Sequence, residues 1–246
     1  MTPNSNKGNS RYSDPMASRI EAAKKHREAL DAEFCKASDV YDGFYLRLED
    51  LTSEGSRFFL GGQAIIGSSL LYDAQASALL SPENIVLARL PKKVAQRLAD
   101  HASAGWQIEP LISFIAFRAQ DKTALVDLAF LCWNAQNEEY GPSLSAFVRG
   151  ITERVANGDR AEINISQDQF IHVVRSGGTW YLTKKTKRDP LEKGAVSYKS
   201  RRSGTERITA YALKHRVGCN VLASIFWLAV AFGLVCLVWA LFFSGA

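Results

Sequence analysis

Residues 144–183, LSAFVRGITERVANGDRAEINISQDQFIHVVRSGGTWYLT, contain the clearest change of pattern in the chain. Across residues 144–156 the large apolar side chains recur at helical spacing, which predicts an amphipathic helix. Phe147, Ile151 and Val155 form its predicted inward face. We therefore expect this helix to pack on the core of a folded domain.

After this helix the apolar spacing changes to two. The Asn-Gly-Asp sequence at residues 157–159 marks the break. Residues 161–165, 170–175 and 179–183 alternate as strands do, and Ser-Gly-Gly at residues 176–178 has the composition of a hairpin turn. The predicted fold class is α+β, helix-rich, with a three-stranded antiparallel element near the C-terminal end of the domain.

Three segments upstream supply the rest of the predicted core. Residues 91–104 begin with Pro and are followed by Gly, as expected of a helix. Residues 108–117 are apolar and β-branched enough for a buried strand, in which Pro110 is allowed only at an edge or a start. Residues 123–137 are predicted to be a core helix, because several apolar side chains follow the helical period: Leu125, Leu128, Ala129, Cys132 and Trp133.

Residues 58–72, FFLGGQAIIGSSLLY, form another segment that is largely apolar and carries no charge. They are too few, and too rich in Gly, to cross a bilayer as a helix. We expect a buried strand or a turn into a core helix, and the alternative is a segment that enters the membrane interface. The glycines lack the spacing of a phosphate-binding loop.

The N-terminal region is predicted to contain an exposed helix. Residues 1–13 are polar and predicted to be disordered, and Asp14-Pro15 provides a helix start for residues 14–41. The apolar stripe of this charged helix is narrow, which is typical of a helix that docks on a partner or on a second copy of the chain. Packing along its own domain is the alternative. The predicted docking residues are Ile20, Leu30, Phe34 and Tyr41.

Residues 221–243 carry no charge, and only three residues follow them. A helix of this length is roughly 35 Å long, enough to cross a hydrocarbon core of about 30 Å. We predict a single membrane anchor over residues 220–243, with residues 244–246 on the far side and a tail-anchored topology. The residues expected to hold it in the bilayer are Val221, Ile225, Phe226, Trp227, Leu234, Trp239 and Phe243.

A strongly basic segment precedes the predicted anchor. Residues 184–216 contain eleven Lys or Arg and three Asp or Glu, whereas the whole chain has a net charge of +5. Basic flanks stay on the cytoplasmic side, so residues 14–183 are predicted to be a cytosolic domain and residues 184–219 a juxtamembrane neck. The neck is expected to contact anionic lipid headgroups or nucleic acid through Lys184, Lys185, Lys187, Arg188, Arg201 and Arg202.

The sequence contains no motif of a known catalytic or metal site. The four His and four Cys residues lack metal-ligand or C-x-x-C spacing, which favours a reduced compartment and predicts neither metal nor cofactor. The predicted function is therefore binding: an adaptor, scaffold or regulatory subunit at the inner face of a membrane. One alternative is a membrane-tethered nucleic-acid-binding protein, with a winged-helix-like order of helix, hairpin and basic segment. A membrane-anchored enzyme without a recognisable motif is the other.

Overall fold

The computed structural model describes residues 16, 19–25, 34–48, 50–180 and 185–208. Within these ranges the fold is α+β with two antiparallel sheets, as the predicted class requires. The predicted anchor, Lys184 and Leu30 lie outside the described residues. Among the helices that are described, none has the length and apolar character needed to cross a bilayer.

The described residues contain seven strands and four helices that pack in the domain, a short 3-10 helix at Ala37–Asp39, and further helical residues at 19–25 and 204–208. The strands are β1 (Tyr41–Leu48), β2 (Leu71–Asp73), β3 (Ala78–Leu80), β4 (Val86–Arg89), β5 (Gln107–Arg118), β6 (Thr123–Trp133) and β7 (Ala195–Lys199). The helices are α1 (Ser53–Leu60), α2 (Lys92–Ser103), α3 (Gly141–Ala156) and α4 (Gln167–Arg175). The larger sheet has the order β1-β6-β5-β7, and the smaller sheet the order β2-β3-β4.

The larger sheet is covered on both faces, which places two apolar layers in the domain. On one face α3 and α4 pack against side chains such as Ala129 and Leu131. On the other face α1, α2 and the smaller sheet pack against side chains such as Leu128 and Phe130. The two strand edges that remain open to other contacts are those of β1 and β7.

The prediction of a core helix over residues 123–137 was wrong, because Thr123–Trp133 is the central strand β6. Every residue of β6 after Thr123 is buried. A strand buried on both faces has no polar side, so its apolar residues match the helical period as readily as the strand period.

The prediction of three strands over residues 161–183 was wrong for the residues that the structure describes, and residues 181–183 lie outside them. Gln167–Arg175 is helix α4, and Ala161 forms only an isolated bridge with Lys185. The Ser166 hydroxyl accepts a hydrogen bond from the Gln169 backbone N–H, and the Gln169 side chain accepts one from the Ser166 backbone N–H. This capping box starts a helix where alternation suggested a strand. The Ser-Gly-Gly sequence then ends α4 instead of turning a hairpin.

The predicted bounds of the N-terminal helix were too wide. Residues 19–25 are helical and exposed, but Phe34–Lys36 are not helical and Tyr41 begins β1. The predicted start of the neck at residue 184 was too early. Residues 195–199 form β7 and pair with β5 inside the larger sheet, so the folded domain includes part of the predicted neck.

Other predicted elements are confirmed or need only small changes. The helices over residues 91–104 and 144–156 correspond to α2 and α3, and the strand over residues 108–117 to β5. Within β5, the Pro110 carbonyl accepts a hydrogen bond from Leu70 N–H, so its missing donor faces away from β6. Residues 58–72 contain the end of α1, a series of turns and the start of β2 rather than one strand or a turn into a helix.

Candidate functional site

A cleft of about 330 Å³ opens beside the first half of β1. Its walls come from three separate parts of the chain: the turn and strand that begin β1, the second half of α2, and the segment before α4. The lining residues are Ser38, Tyr41, Asp42, Gly43, Arg97, His101, Asn164 and Ile165. Most of these residues carry a polar side chain, so the cleft is suited to a polar ligand.

Asp42 is the carboxylate at the centre of the cleft. Arg97 Nε donates to Asp42 Oδ2 at 2.6 Å, and a second nitrogen of the same guanidinium donates to Oδ1. His101 Nε2 lies 2.8 Å from Oδ2. Partial burial raises the pKa of the Asp42 carboxyl, but the hydrogen bonds from His101 and Arg97 outweigh burial and hold that pKa below its usual value. Asp42 is therefore ionised at neutral pH.

Aromatic rings hold the two basic partners of Asp42 in place. The His101 ring stacks on Trp106, with ring centroids 4.3 Å apart and planes 13° from parallel. The Arg97 guanidinium lies over the Phe44 ring, 4.2 Å from its centroid. Arg97 and His101 are four residues apart in α2 and so share one face of that helix. Each basic partner of Asp42 therefore contacts both the carboxylate and an aromatic ring.

The opposite wall of the cleft depends on close contact between β1 and residues 161–165. The hydroxyls of Tyr41 and Tyr45 donate to the carbonyl oxygens of Ile163 and Ala161 at 2.9 and 2.8 Å. Gly43 allows this approach, because a Cβ there would lie 2.2 Å from the Ile163 carbonyl oxygen. Val40 C=O accepts a hydrogen bond from Asn134 N–H, so the backbone N–H and C=O groups of Tyr41 and Gly43 point away from β6. Both residues are themselves buried.

A second carboxylate, Asp127 on β6, is enclosed by three arginines. Arg47 Nε donates to its Oδ1 at 2.8 Å, Arg160 Nη1 donates to Oδ2 at 2.9 Å, and Arg188 Nε lies 3.3 Å from Oδ2. The Asp127 side chain is 1 % exposed. Burial also lowers the pKa of Arg188. Since this carboxylate is inaccessible, we interpret it as a structural centre.

The Asp127 cluster attaches the segment after residue 185 to the sheet. Arg47 donates to the carbonyl oxygens of Asp189 and Pro190 at 3.0 and 2.9 Å, and Arg188 lies over the Phe114 ring at 3.7 Å. Arg188 is thus part of the fold and is not the exposed neck residue that the sequence predicted.

The other predicted neck residues have different environments. Lys185 pairs with Asp159 at 2.6 Å and is largely exposed, and Lys187 and Arg201 are exposed. Arg202 donates through Nε to Ile66 O at 2.9 Å and through its backbone N–H to Ala156 O at 3.2 Å. Among the described members of this set, Lys185, Lys187 and Arg201 therefore remain available for contact with lipid.

The predicted docking stripe does not exist as a single surface. Tyr41 is 3 % exposed and lies in the core with Phe147, whereas Ile20 is 64 % exposed. Phe34 packs on the same core, 6.5 Å from the Tyr140 ring. Phe34 and Tyr41 were predicted as docking residues because they were assigned to a helix, and neither lies in one. Ile20 alone of the described set keeps the exposure that docking needs.

Sequence reasoning missed the cleft. Asp42 directly follows the predicted helix of residues 14–41, and neither Asp42 nor His101 was predicted as a site residue. The four-residue spacing of Arg97 and His101 was the available signal, but nothing in the sequence relates them to a carboxylate 55 and 59 residues away. No group of three or more His, Cys, Asp or Glu side chains suited to a metal ion occurs within the described part of the chain.

No protein-family model matches the sequence, and no curated protein and no solved structure matches it either.

Proposed function

We propose that this chain is a single-pass membrane protein, anchored by residues 220–243, whose folded domain lies on the cytoplasmic side and binds a protein partner at the cleft beside β1. The anchor is supported by the uncharged run of residues 221–243, and the orientation by the basic segment before it. The observation that carries the binding role is the cleft itself. It combines a fixed Asp42–Arg97–His101 cluster with outward-facing backbone groups of an edge strand.

Several features of the cleft favour recognition of a protein segment. Edge strands offer unpaired backbone N–H and C=O groups to which an extended peptide can add. Side chains that alternate along such a peptide would reach the Arg97 and His101 wall on one side and the Asn164 wall on the other. The described part of the cleft contains polar groups on both walls, as selective binding requires.

Site-specific photo-crosslinking in the native membrane tests this proposal. A photoreactive residue at Ser38, which is exposed and lines the cleft, should give one crosslinked species, and the same residue at Arg149 on α3 should not. Arg97→Gln should abolish that species and Lys93→Gln, on the same helix, should leave it. Equal crosslinking at Ser38 and Arg149, or persistence in Arg97→Gln, would contradict the proposal.

Enzymatic activity is a second candidate, favoured by the pairing of His101 with Asp42. A carboxylate that binds one imidazole nitrogen fixes the tautomer and leaves the other nitrogen able to transfer protons. Turnover of an ester, amide or phosphate-ester substrate that is lost in His101→Gln but retained in His172→Gln would support it. The nucleic-acid alternative loses its main support, because α3 is followed by α4 and not by a hairpin.

A further inference from the structure

The opposite edge of the larger sheet has a different surface. Val196 and Tyr198 on β7 are 62 % and 52 % exposed. Val196 pairs with Phe117 of β5, and the register of the two strands shifts at Tyr198. The Tyr198 hydroxyl donates to Leu60 O at 2.9 Å, which joins β7 to the C-terminal end of α1.

Three exposed basic side chains belong to parts of the chain next to β7 and to Leu60. Arg57 and Lys122 line an open cavity of about 520 Å³ together with Leu60, and both are exposed. Lys193, in the turn that precedes β7, is exposed as well. We call the set Arg57, Lys122, Lys193, Val196 and Tyr198 the β7 surface.

The nearby acidic side chains leave this surface basic. Asp121 and Glu192 both pair with Arg118, at 3.2 and 3.1 Å. Glu54 on α1 is the remaining exposed acid close to the cavity among the described residues. With Arg118 included, four basic side chains stand against three acidic ones here, so this part of the surface has a net charge of +1.

The chain leaves the domain from this side. Lys199 donates to Ala64 O at 2.8 Å and also pairs with Glu206, so the residues after β7 run beside the segment that follows α1. Ile208 is 72 % exposed and is the last described residue. The uncharged run begins thirteen residues later, at Val221. Thirteen residues extend at most about 45 Å, so the proposed bilayer begins within about 45 Å of Ile208.

We propose that the β7 surface docks on anionic lipid headgroups, with Val196 and Tyr198 at the interface and the basic side chains on the phosphates. This inference rests on the proposed membrane anchor. Tyrosine suits the interface because its ring is apolar and its hydroxyl polar, and basic residues near anionic lipid favour the bound state by about fivefold each. The β1 cleft lies at the other edge strand of the larger sheet, three strand spacings or about 14 Å away.

The test uses the full chain in phosphatidylcholine vesicles with or without phosphatidylserine. A photoreactive residue replaces Val196 in one sample and Ser38, in the cleft, in another. We expect lipid adducts at position 196 in the anionic vesicles, several-fold more than in neutral vesicles and more than at position 38. The double variant Arg57→Gln/Lys122→Gln should lower the docking equilibrium roughly 25-fold, since two basic contacts are lost. The matched control Lys36→Gln/Arg149→Gln removes the same charge elsewhere on the domain and should change nothing.

The outcomes separate this inference from the function on which it rests. If alkaline carbonate extracts the full chain from the vesicles, the membrane anchor itself is wrong. If the chain resists extraction but position 196 gives no more lipid adduct than position 38, docking of the β7 surface is overturned and the anchor stands. Adducts with protein instead of lipid at position 196, or an equal loss in the two double variants, would also overturn it.

Discussion

Asp42 and Asp127 lie on the adjacent strands β1 and β6, on opposite faces of the same sheet, and both bind arginine. Asp127 is 1 % exposed and binds three guanidinium groups, while Asp42 is 16 % exposed and binds one guanidinium and one imidazole. The same pairing chemistry therefore serves two purposes. At Asp127 it holds distant segments of the chain together, and at Asp42 it arranges charges at the wall of a cleft. Access to solvent makes the difference.

The largest expected effect comes from neutralising the buried carboxylate. Asp127→Asn leaves Arg47, Arg160 and Arg188 close together without their counter-charge, which should lower the free energy of unfolding by about 3–5 kcal/mol. Denaturant unfolding of the full chain in detergent measures it. Asp159→Asn is the control, because that carboxylate pairs with exposed Lys185, and should cost less than about 1 kcal/mol. Equal losses of stability in Asp127→Asn and Asp159→Asn would show that the buried carboxylate is no more important to the fold than the exposed one.

A steric change at Gly43 sharpens the comparison on the Asp42 side. Gly43→Ala places a Cβ 2.2 Å from the Ile163 carbonyl oxygen, so residues 161–165 must move away from β1. We expect a loss of about 1–3 kcal/mol, measured by the same unfolding experiment. Gly204→Ala is the matched control, since a Cβ there meets no atom within 4 Å. If Gly43→Ala leaves the free energy of unfolding unchanged, residues 161–165 can move away from β1 without a loss of stability.

The free energy of unfolding should depend on pH differently in the unsubstituted protein and in the Asp42→Asn variant. The pKa of the Asp42 carboxyl is lower in the folded state than in the unfolded state, where it is about 3.9. Its ion pairs therefore stabilise the fold fully above the unfolded-state pKa. This stabilisation is lost as the pH falls through the lower pKa of the folded state. Asp42→Asn should cost about 1–2 kcal/mol at neutral pH and make the acid limb of the stability curve shallower. If the free energy of unfolding falls equally steeply with decreasing pH in both proteins, Arg97 and His101 do not stabilise the fold through Asp42.

The smallest effect is expected at the exposed basic residues. Lys185→Gln should change the free energy of unfolding by less than about 1 kcal/mol, because its pair with Asp159 is solvated. Arg188→Gln should cost more, since it removes a contact with Asp127 and the stacking on Phe114. Thermal and denaturant unfolding of the two single variants provides the measurement. If Lys185→Gln proves the more costly change, the division of the predicted neck into buried and exposed residues is wrong.

The parts of the fold that sequence predicts well have one buried and one exposed side. α2 and α3 were predicted because their apolar residues occupy one stripe and clear breaks follow them. β6 was mistaken for a helix because burial on both faces removes the polar positions that reveal the period. α4 was mistaken for a strand because Phe170, Ile171 and Val173 outweighed the capping box at Ser166, which the sequence already contained.

The candidate site was harder to predict than the fold. Asp42 and its two partners come together only through the packing of α2 on the sheet, and no local pattern encodes that contact. The basic segment before the predicted anchor shows that residues of equal charge can have different environments in the fold. Lys185 and Arg188 have the same formal charge in sequence, but the buried carboxylate that Arg188 contacts is more than fifty residues away, on β6.

The bonds that Arg202 makes have a mechanical consequence. Its backbone N–H donates to Ala156 O and its Nε to Ile66 O, so the chain after β7 is fastened to the end of α3 and to the segment after α1. A pulling force applied beyond residue 208 would load these bonds, and the Lys199–Glu206 pair, before it reached the short ladder between β7 and β5. Tension on the chain would then be spread into α3 and into the segment after α1, and the edge strand would be protected from being peeled off the sheet.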